Sequence, residues 1–199
     1  MRIESVKHGR KKLTHTVIDG ETYCFDTETF MLFGCSEGEE ISFEKFKELY
    51  DTSNRNRAYE KALYLLDYRD RTLVEIKRKL SAEYPPEAVE YALERVCQMG
   101  LIDDEQFARR FAAELYNFKN YGKKRIESEL FRRGVDKDII DTVLAEFEDS
   151  PVEKISQIIE KKYSPLPEDK KALARIVNAL MRQGYSYSDI KSAMTLPDD

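Results

Sequence analysis

Residues 121–134 read YGKKRIESELFRRG, and their pattern recurs at intervals of 50 residues along the chain. The recurring apolar residues are three isoleucine and leucine pairs: Ile76 and Leu80, Ile126 and Leu130, and Ile176 and Leu180. The spacing of four places both members of a pair on one face of a helix. Gly134 and Gly184 follow two of the pairs, where a helix end favours a left-handed residue. The sequence therefore predicts three copies of one helical unit.

Each unit has room for three helices. In the first helix, Ala58 and Ala62 have counterparts at Ala108 and Ala112, and small residues there let helices approach closely. The third helices are predicted at 86–99, 136–147 and 186–194, with Asp136 and Ser186 as N-caps. A unit of this size buries little on its own. Neighbouring units should therefore stack, and we expect an elongated, curved body.

The first 57 residues have a different pattern. Thr14–Ile18 and Glu21–Phe25 are β-branched and aromatic runs on either side of Asp19-Gly20, which favours a hairpin turn. A third strand is predicted at Thr29–Phe33, then a short helix capped by Ser42, then a polar linker, DTSNRNR, at 51–57. The predicted fold is mainly α, with three tandem three-helix repeats after a small β-rich module. The predicted domains are 1–57 for the module and linker, then repeats at 58–103, 104–150 and 151–199.

Composition limits the class of protein. No apolar run approaches the ~18 residues of a membrane span, and no signal peptide is recognisable at the start, so we expect a soluble cytoplasmic protein. Cys24, Cys35 and Cys97 show neither a disulfide pattern nor zinc-ligand spacing. The sequence contains 2 histidines and no phosphate-binding or nucleophile motif. We therefore predict no enzyme activity and no cofactor.

Positive charge follows the repeat. Residues 69–82, 119–132 and 169–182 each carry a net charge of +3, although the chain carries −5. With the Ile/Leu face turned inward, a row of mostly basic side chains faces outward, which suits a polyanion or an acidic protein groove. The predicted binding residues are Arg71, Arg78, Tyr121, Lys124, Arg125, Arg132, Lys171, Arg175 and Arg182.

Asp103 and Asp104 join the first repeat to the second and admit two interpretations. Adjacent carboxylates occur at magnesium sites of nucleases and polymerases. Alternatively, Asp103 is an N-cap with Gln106 at the third helical position, which is the spacing of a capping box. The cap is favoured, because no second carboxylate cluster accompanies the pair.

Four stretches of sequence are distinctive: ALYLLDYRDRTLVEIKRKL at 62–80, GLIDDEQFARRFAAE at 100–114, YGKKRIESELFRRGV at 121–135 and LMRQGYSYSDIKSAM at 180–194. Together they resemble the RecX family of RecA regulators. The resemblance covers about residues 58–195. It departs from the family at 181–185, where the family has a more basic run ending in Gly-Phe, and the first 57 residues exceed its shorter members.

The resemblance implies a non-enzymatic modulator, most often an inhibitor, of the RecA recombinase. Such a protein lies in the groove of the RecA–DNA filament and limits homologous recombination, DNA repair and the SOS response. We expect a monomer whose direct contact with DNA is weak and non-specific. Two other hypotheses remain open: a helix-turn-helix-like protein that reads DNA directly, and a metal-dependent nuclease that uses Asp103 and Asp104.

Overall fold

The computed structural model describes residues 1–10, 12–147 and 151–194. The strands are β1 (Ile3–His8), β2 (Leu13–Ile18) and β3 (Glu21–Asp26). The helices are α1 (Thr27–Leu32), α2 (Phe43–Tyr68), α3 (Leu73–Leu80), α4 (Pro86–Gln98), α5 (Asp104–Asn117), α6 (Lys123–Arg132), α7 (Lys137–Ala145), α8 (Pro151–Tyr163), α9 (Lys170–Arg182) and α10 (Tyr187–Met194). Among these helices, none combines the length and apolar composition needed to cross a lipid bilayer.

The chain divides into two compact units, one ending at Ile102 and the other beginning at Asp103. The first unit holds the sheet and helices α1–α4, and the second holds α5–α10. Residues 148–150, where the predicted boundary between the second and third repeats falls, lie outside the described residues. Cys24, Cys35 and Cys97 are free thiols, and burial raises the pKa of Cys35.

The sheet is antiparallel in the order β1-β2-β3. Asp19 and Gly20 have φ angles of 48° and 80°, the left-handed pair of a two-residue hairpin turn, so the predicted hairpin is confirmed. Strand β1 was not predicted. Its pairing with β2 shifts register between Ile3 and Ser5, which interrupts the alternation of buried and exposed side chains on which strand prediction depends.

The predicted third strand at 29–33 is wrong, because helix α1 covers most of this segment. Asp26 caps the helix, and its carboxylate accepts hydrogen bonds from both the backbone N–H and the hydroxyl of Thr29, each at 2.8 Å. The cap satisfies backbone donors at the start of the helix and so favours it. The strand prediction rested on β-branched and aromatic composition alone and did not include this cap. Phe30 then packs into the core of the module.

The predicted linker at 51–57 is also wrong. These residues form the middle of α2, a single helix of 26 residues. The segment has no apolar stripe because its polar side chains bind the open edge of β3. Ser53 Oγ accepts a hydrogen bond from Asp26 N at 2.7 Å, and Arg57 donates to the Cys24 carbonyl at 2.7 Å. These bonds pair backbone groups that an exposed edge strand leaves unpaired.

Helix α2 belongs to two cores. Leu49, near its start, lies in the core beneath the sheet, whereas Ala58 and Ala62 lie in the core of the first repeat. Helix α4 packs along the second half of α2. Two arginine and tyrosine stacks join the two helices: Arg55 on Tyr91 at 5.9 Å and Arg95 on Tyr59 at 5.7 Å. A third, Arg57 on Tyr84 at 5.6 Å, joins α2 to the segment just before α4. The module and the first repeat therefore form one structural unit.

Each three-helix unit has its own hydrophobic cluster, and the second helices α3, α6 and α9 contribute the predicted isoleucine and leucine pairs. Five of these six side chains are fully buried, and the sixth, Ile176, is 8% exposed. Gly134 and Gly184 end their helices with φ angles of 79° and 95°, as predicted. Asp136 and Ser186 cap the helices that follow.

The continuity of α2 predicts the effect of a proline at Asn56, an exposed residue of its middle turn. Asn56→Pro should cost about 3 kcal/mol of folding free energy, because proline removes a helical hydrogen bond and its ring clashes with the preceding turn. Asn56→Ala is the control, because it removes the side-chain bond to Thr29 and keeps the helix. Urea unfolding followed by circular dichroism measures both. A difference below about 1 kcal/mol between the two variants would show that the helix is not continuous there.

Candidate partner-binding surface

Most of the predicted binding residues lie on the surface. The exposed ones are Arg78, Lys124, Arg132, Lys171, Arg175 and Arg182, while Tyr121 and Arg125 are half-buried. The outward orientation predicted from the helical repeat is therefore confirmed for Arg78, Lys124, Arg132, Lys171 and Arg182, whereas Tyr121 is less exposed than predicted. Helix α3 presents its cations on the first unit, and α6 and α9 present theirs on the second.

Arg71 is a correction to that prediction, because its side chain is buried and the residue is only 9% exposed. It precedes α3, so the helical spacing measured from Ile76 does not apply to it. Its Nε donates a hydrogen bond to the Leu65 carbonyl at 3.0 Å, which satisfies an acceptor in the last turn of α2. Arg71 therefore joins two helices of the first repeat and is not part of an exposed surface.

Two predicted arginines also have a structural role. Glu129 on α6 is 8% exposed, and its carboxylate pairs with Arg125 at 2.8 Å and with Arg132. The Arg125 guanidinium also lies 5.7 Å from the centre of the Tyr121 ring. A buried carboxylate without its partners is costly, so reversing the charge of either arginine would disturb the fold as well as the surface.

A groove of about 910 Å³ in the second unit gathers four of the predicted residues. It runs between α6 and the turn that joins α9 to α10. Its lining is Tyr121, Lys124, Arg125, Ser128, Ala179, Met181, Arg182, Gln183, Gly184, Tyr185, Ser186 and Tyr187. Three of these side chains are cationic, and no carboxylate is among them. Arg132, Lys171 and Arg175 are not part of this lining.

Two glycines set the width of the groove. Gly122 N donates a hydrogen bond to the Gln183 carbonyl at 2.8 Å, so the start of α6 touches the α9–α10 turn. A Cβ on Gly122 would lie 2.7 Å from the Gly184 oxygen, and one on Gly184 would lie 2.5 Å from Arg125 N. Only glycine at both positions permits this approach. The second and third repeats are therefore fixed to each other at this point.

Tyr185 also stabilises the contact between the start of α6 and the α9–α10 turn. It is 5% exposed, and its hydroxyl donates to the Asn120 carbonyl at 3.2 Å. Burial is the main cause that raises the pKa of Tyr185 far above its ordinary value, so the phenol keeps its proton. The phenol therefore remains a hydrogen-bond donor above the pH at which an ordinary tyrosine ionises.

The groove holds two polar atoms that lack a partner. Arg125 Nε and Gln183 Oε1 are enclosed, and neither has a hydrogen-bond partner among the residues that the structure describes. One is a donor and the other an acceptor. Both atoms have almost no solvent-exposed surface, so they lie beneath the wall of the groove and not in its opening.

On the α9–α10 side of the groove, sequence analysis predicted Arg182 but missed its neighbours, which include Met181, Gln183 and Tyr187. One signal for it was present in the sequence. Gly122 occupies the helix-capping position where the first repeat has Thr72, 50 residues earlier. A glycine that replaces a capping side chain indicates close approach of another backbone.

The capping interpretation of Asp103 is confirmed. Its side chain accepts a hydrogen bond from Gln106 N at 2.8 Å, at the start of α5. Across residues 1–10, 12–147 and 151–194, no group of three or more His, Cys, Asp or Glu side chains is placed to hold a metal ion.

Comparison with known proteins gives one consistent result. Family models of the first, second and third three-helix domains of RecX match residues 58–95, 103–144 and 148–194. A regulatory protein RecX of Caldanaerobacter subterraneus is 30% identical over 196 residues, 96% of each chain. The crystal structure of a regulatory protein RecX, 22% identical, has the same fold with a TM-score of 0.66 over 98% of both chains. That of RecX from Lactobacillus salivarius is 25% identical, with a TM-score of 0.64 over 72% of this chain and 96% of the other.

The glycine contact predicts that Gly184→Ala destabilises the second unit. Gly100→Ala is the control, because Gly100 also ends a helix with positive φ but has no atom within 4 Å of an added Cβ. The control should cost about 1–2 kcal/mol through backbone strain. Gly184→Ala should cost about 1–3 kcal/mol more, because the neighbouring backbone must move. Equal losses in chemical unfolding would mean that the two repeats do not touch there.

Proposed function

The chain belongs to the RecX family of regulatory proteins, and we propose that it binds RecA filaments on DNA and lowers their activity. It would act by occupying the filament, without chemistry of its own, and so limit homologous recombination, DNA repair and the SOS response. The observation that carries the proposal is the cationic groove of the second unit, which combines Lys124, Arg125 and Arg182 without a lining carboxylate.

The composition of the groove favours a protein partner. Met181 and Tyr187 are 46% and 55% exposed beside the three cations, so an acidic segment with an apolar side chain would find both kinds of contact.

Cationic side chains outside the groove should help the protein to meet a negatively charged partner. Lys77, Arg78 and Lys79 are exposed on α3, and Lys171 and Arg175 are exposed on α9. Exposed charges contribute little individually but together increase the rate at which a negatively charged partner is met. We expect the effect of the protein on RecA to weaken as salt is raised.

Direct readout of duplex DNA by a helix-turn-helix is less well supported. In that motif a recognition helix enters the major groove, where the nearby phosphates require a positively charged surface. The third helix of the first repeat, α4, carries Glu87, Glu90 and Glu94 with one arginine. In the second repeat, α7 carries Lys137 with two aspartates. Neither helix has the positive charge that this role needs.

The proposal is tested by the ATPase activity of RecA on single-stranded DNA with increasing amounts of this protein. Wild type should lower ATP hydrolysis. The double variant Lys124→Glu with Arg182→Glu should need about tenfold more protein, because reversing two exposed contacts costs about 1–2 kcal/mol. Both residues are exposed on the rim of the groove, so thermal unfolding should be unchanged.

Lys47→Glu with Lys137→Glu is the matched control, because it makes the same change in net charge at exposed positions away from the groove. It should act as wild type does. If wild type leaves RecA unaffected, the function is wrong. If wild type inhibits and the groove variant inhibits equally well, the function stands and the site is wrong.

A further inference from the structure

An open pocket of about 320 Å³ lies in the second unit where the end of α5 meets the second half of α8. It is separate from the groove. Its lining is Asn117, Phe118, Asn120, Gln157, Ile158, Lys161 and Lys162. No aspartate or glutamate is among them, and the volume is at the lower end of the range of about 300–1,000 Å³ for small-ligand sites. The pocket therefore has room for one small planar group.

The backbone at the end of α5 sets the position of Phe118. Helix α5 ends at Asn117, and the chain turns through Asn120, which has a φ angle of 54°. Phe118 N still donates to the Glu114 carbonyl, while its side chain is 80% exposed. Tyr68, 50 residues earlier, is the last residue of α2 and is 76% exposed. An exposed aromatic ring thus recurs at one position of two repeats.

Three kinds of chemistry meet in this pocket. The Phe118 ring offers a flat apolar face beside the buried side chain of Ile158. The amides of Asn117, Asn120 and Gln157 can each donate and accept hydrogen bonds. Lys161 and Lys162 are exposed, and within the described part of the chain neither makes an ion pair.

We propose that this pocket binds an unpaired nucleotide of a single-stranded nucleic acid. The base stacks on Phe118, the amide side chains hydrogen-bond its edge, and Lys161 and Lys162 contact the adjacent phosphates. A base inside a duplex has both faces covered by its neighbours, so it cannot stack on the ring. The pocket therefore selects single strands, in contrast to the groove, whose composition favours a polypeptide.

This site goes beyond the proposed function, since its ligand can be measured without RecA. Fluorescence anisotropy with labelled oligothymidine of about 16 nucleotides, and with an abasic oligomer of equal length, separates stacking from phosphate contact. Phe118→Ala should weaken oligothymidine binding about tenfold and leave abasic binding unchanged. Phe131→Ala is the matched control, because Phe131 is 72% exposed on α6 outside the pocket. It should bind both oligomers as wild type does.

Changing both lysines to glutamine should weaken binding of both oligomers. It should also reduce the slope of log K against log salt by about 1.4, the value for two phosphate contacts on a single strand. Oligouridine of the same length identifies the source: tighter binding than oligothymidine indicates RNA, and weaker binding indicates DNA. The proposal is overturned if folded Phe118→Ala binds oligothymidine as wild type does, or if it loses equal affinity for the abasic oligomer.

Discussion

Burial of one isoleucine and one leucine on the second helix of each repeat is the constraint on which the rest of this structure depends. Each such side chain contributes about 1.5–3 kcal/mol when removed from water, and the other buried residues of its unit pack around the pair. With Ile126 and Leu130 turned into the core, the opposite face of α6 must lie in solvent. The outward position of Lys124 follows directly from this packing.

The repeat could be predicted from sequence because its causes are local. Apolar spacing, the caps at Asp103 and Asp136 and the left-handed glycines all act within a few residues of each other. Residues 51–57 could not be predicted, because their polar side chains bond to a strand that lies far away in the sequence. The prediction that Arg71 is exposed was wrong for a similar reason, because its hydrogen-bond partner lies at the end of another helix.

In the candidate site, too, some features follow from local sequence and others depend on distant residues. Helical geometry alone gives the direction of Lys124 and Arg182, but not what lies opposite them. The groove exists because Gly122 and Gly184 bring two repeats into backbone contact, and this pairing spans 62 residues of sequence. Arg125 lines the groove and is also a counter-ion of Glu129. The net charge of a stretch of sequence does not distinguish these two roles.

Helix α2 couples the unfolding of the sheet to the unfolding of the first repeat. At 1.5 Å per residue its 26 residues form a rod of about 39 Å that contributes side chains to both cores. Melting either half would leave the other with a frayed end and lost neighbours, so the two parts should unfold together in one cooperative transition. Amide protons at the start and the end of α2 should then exchange with solvent through the same opening event, with similar protection.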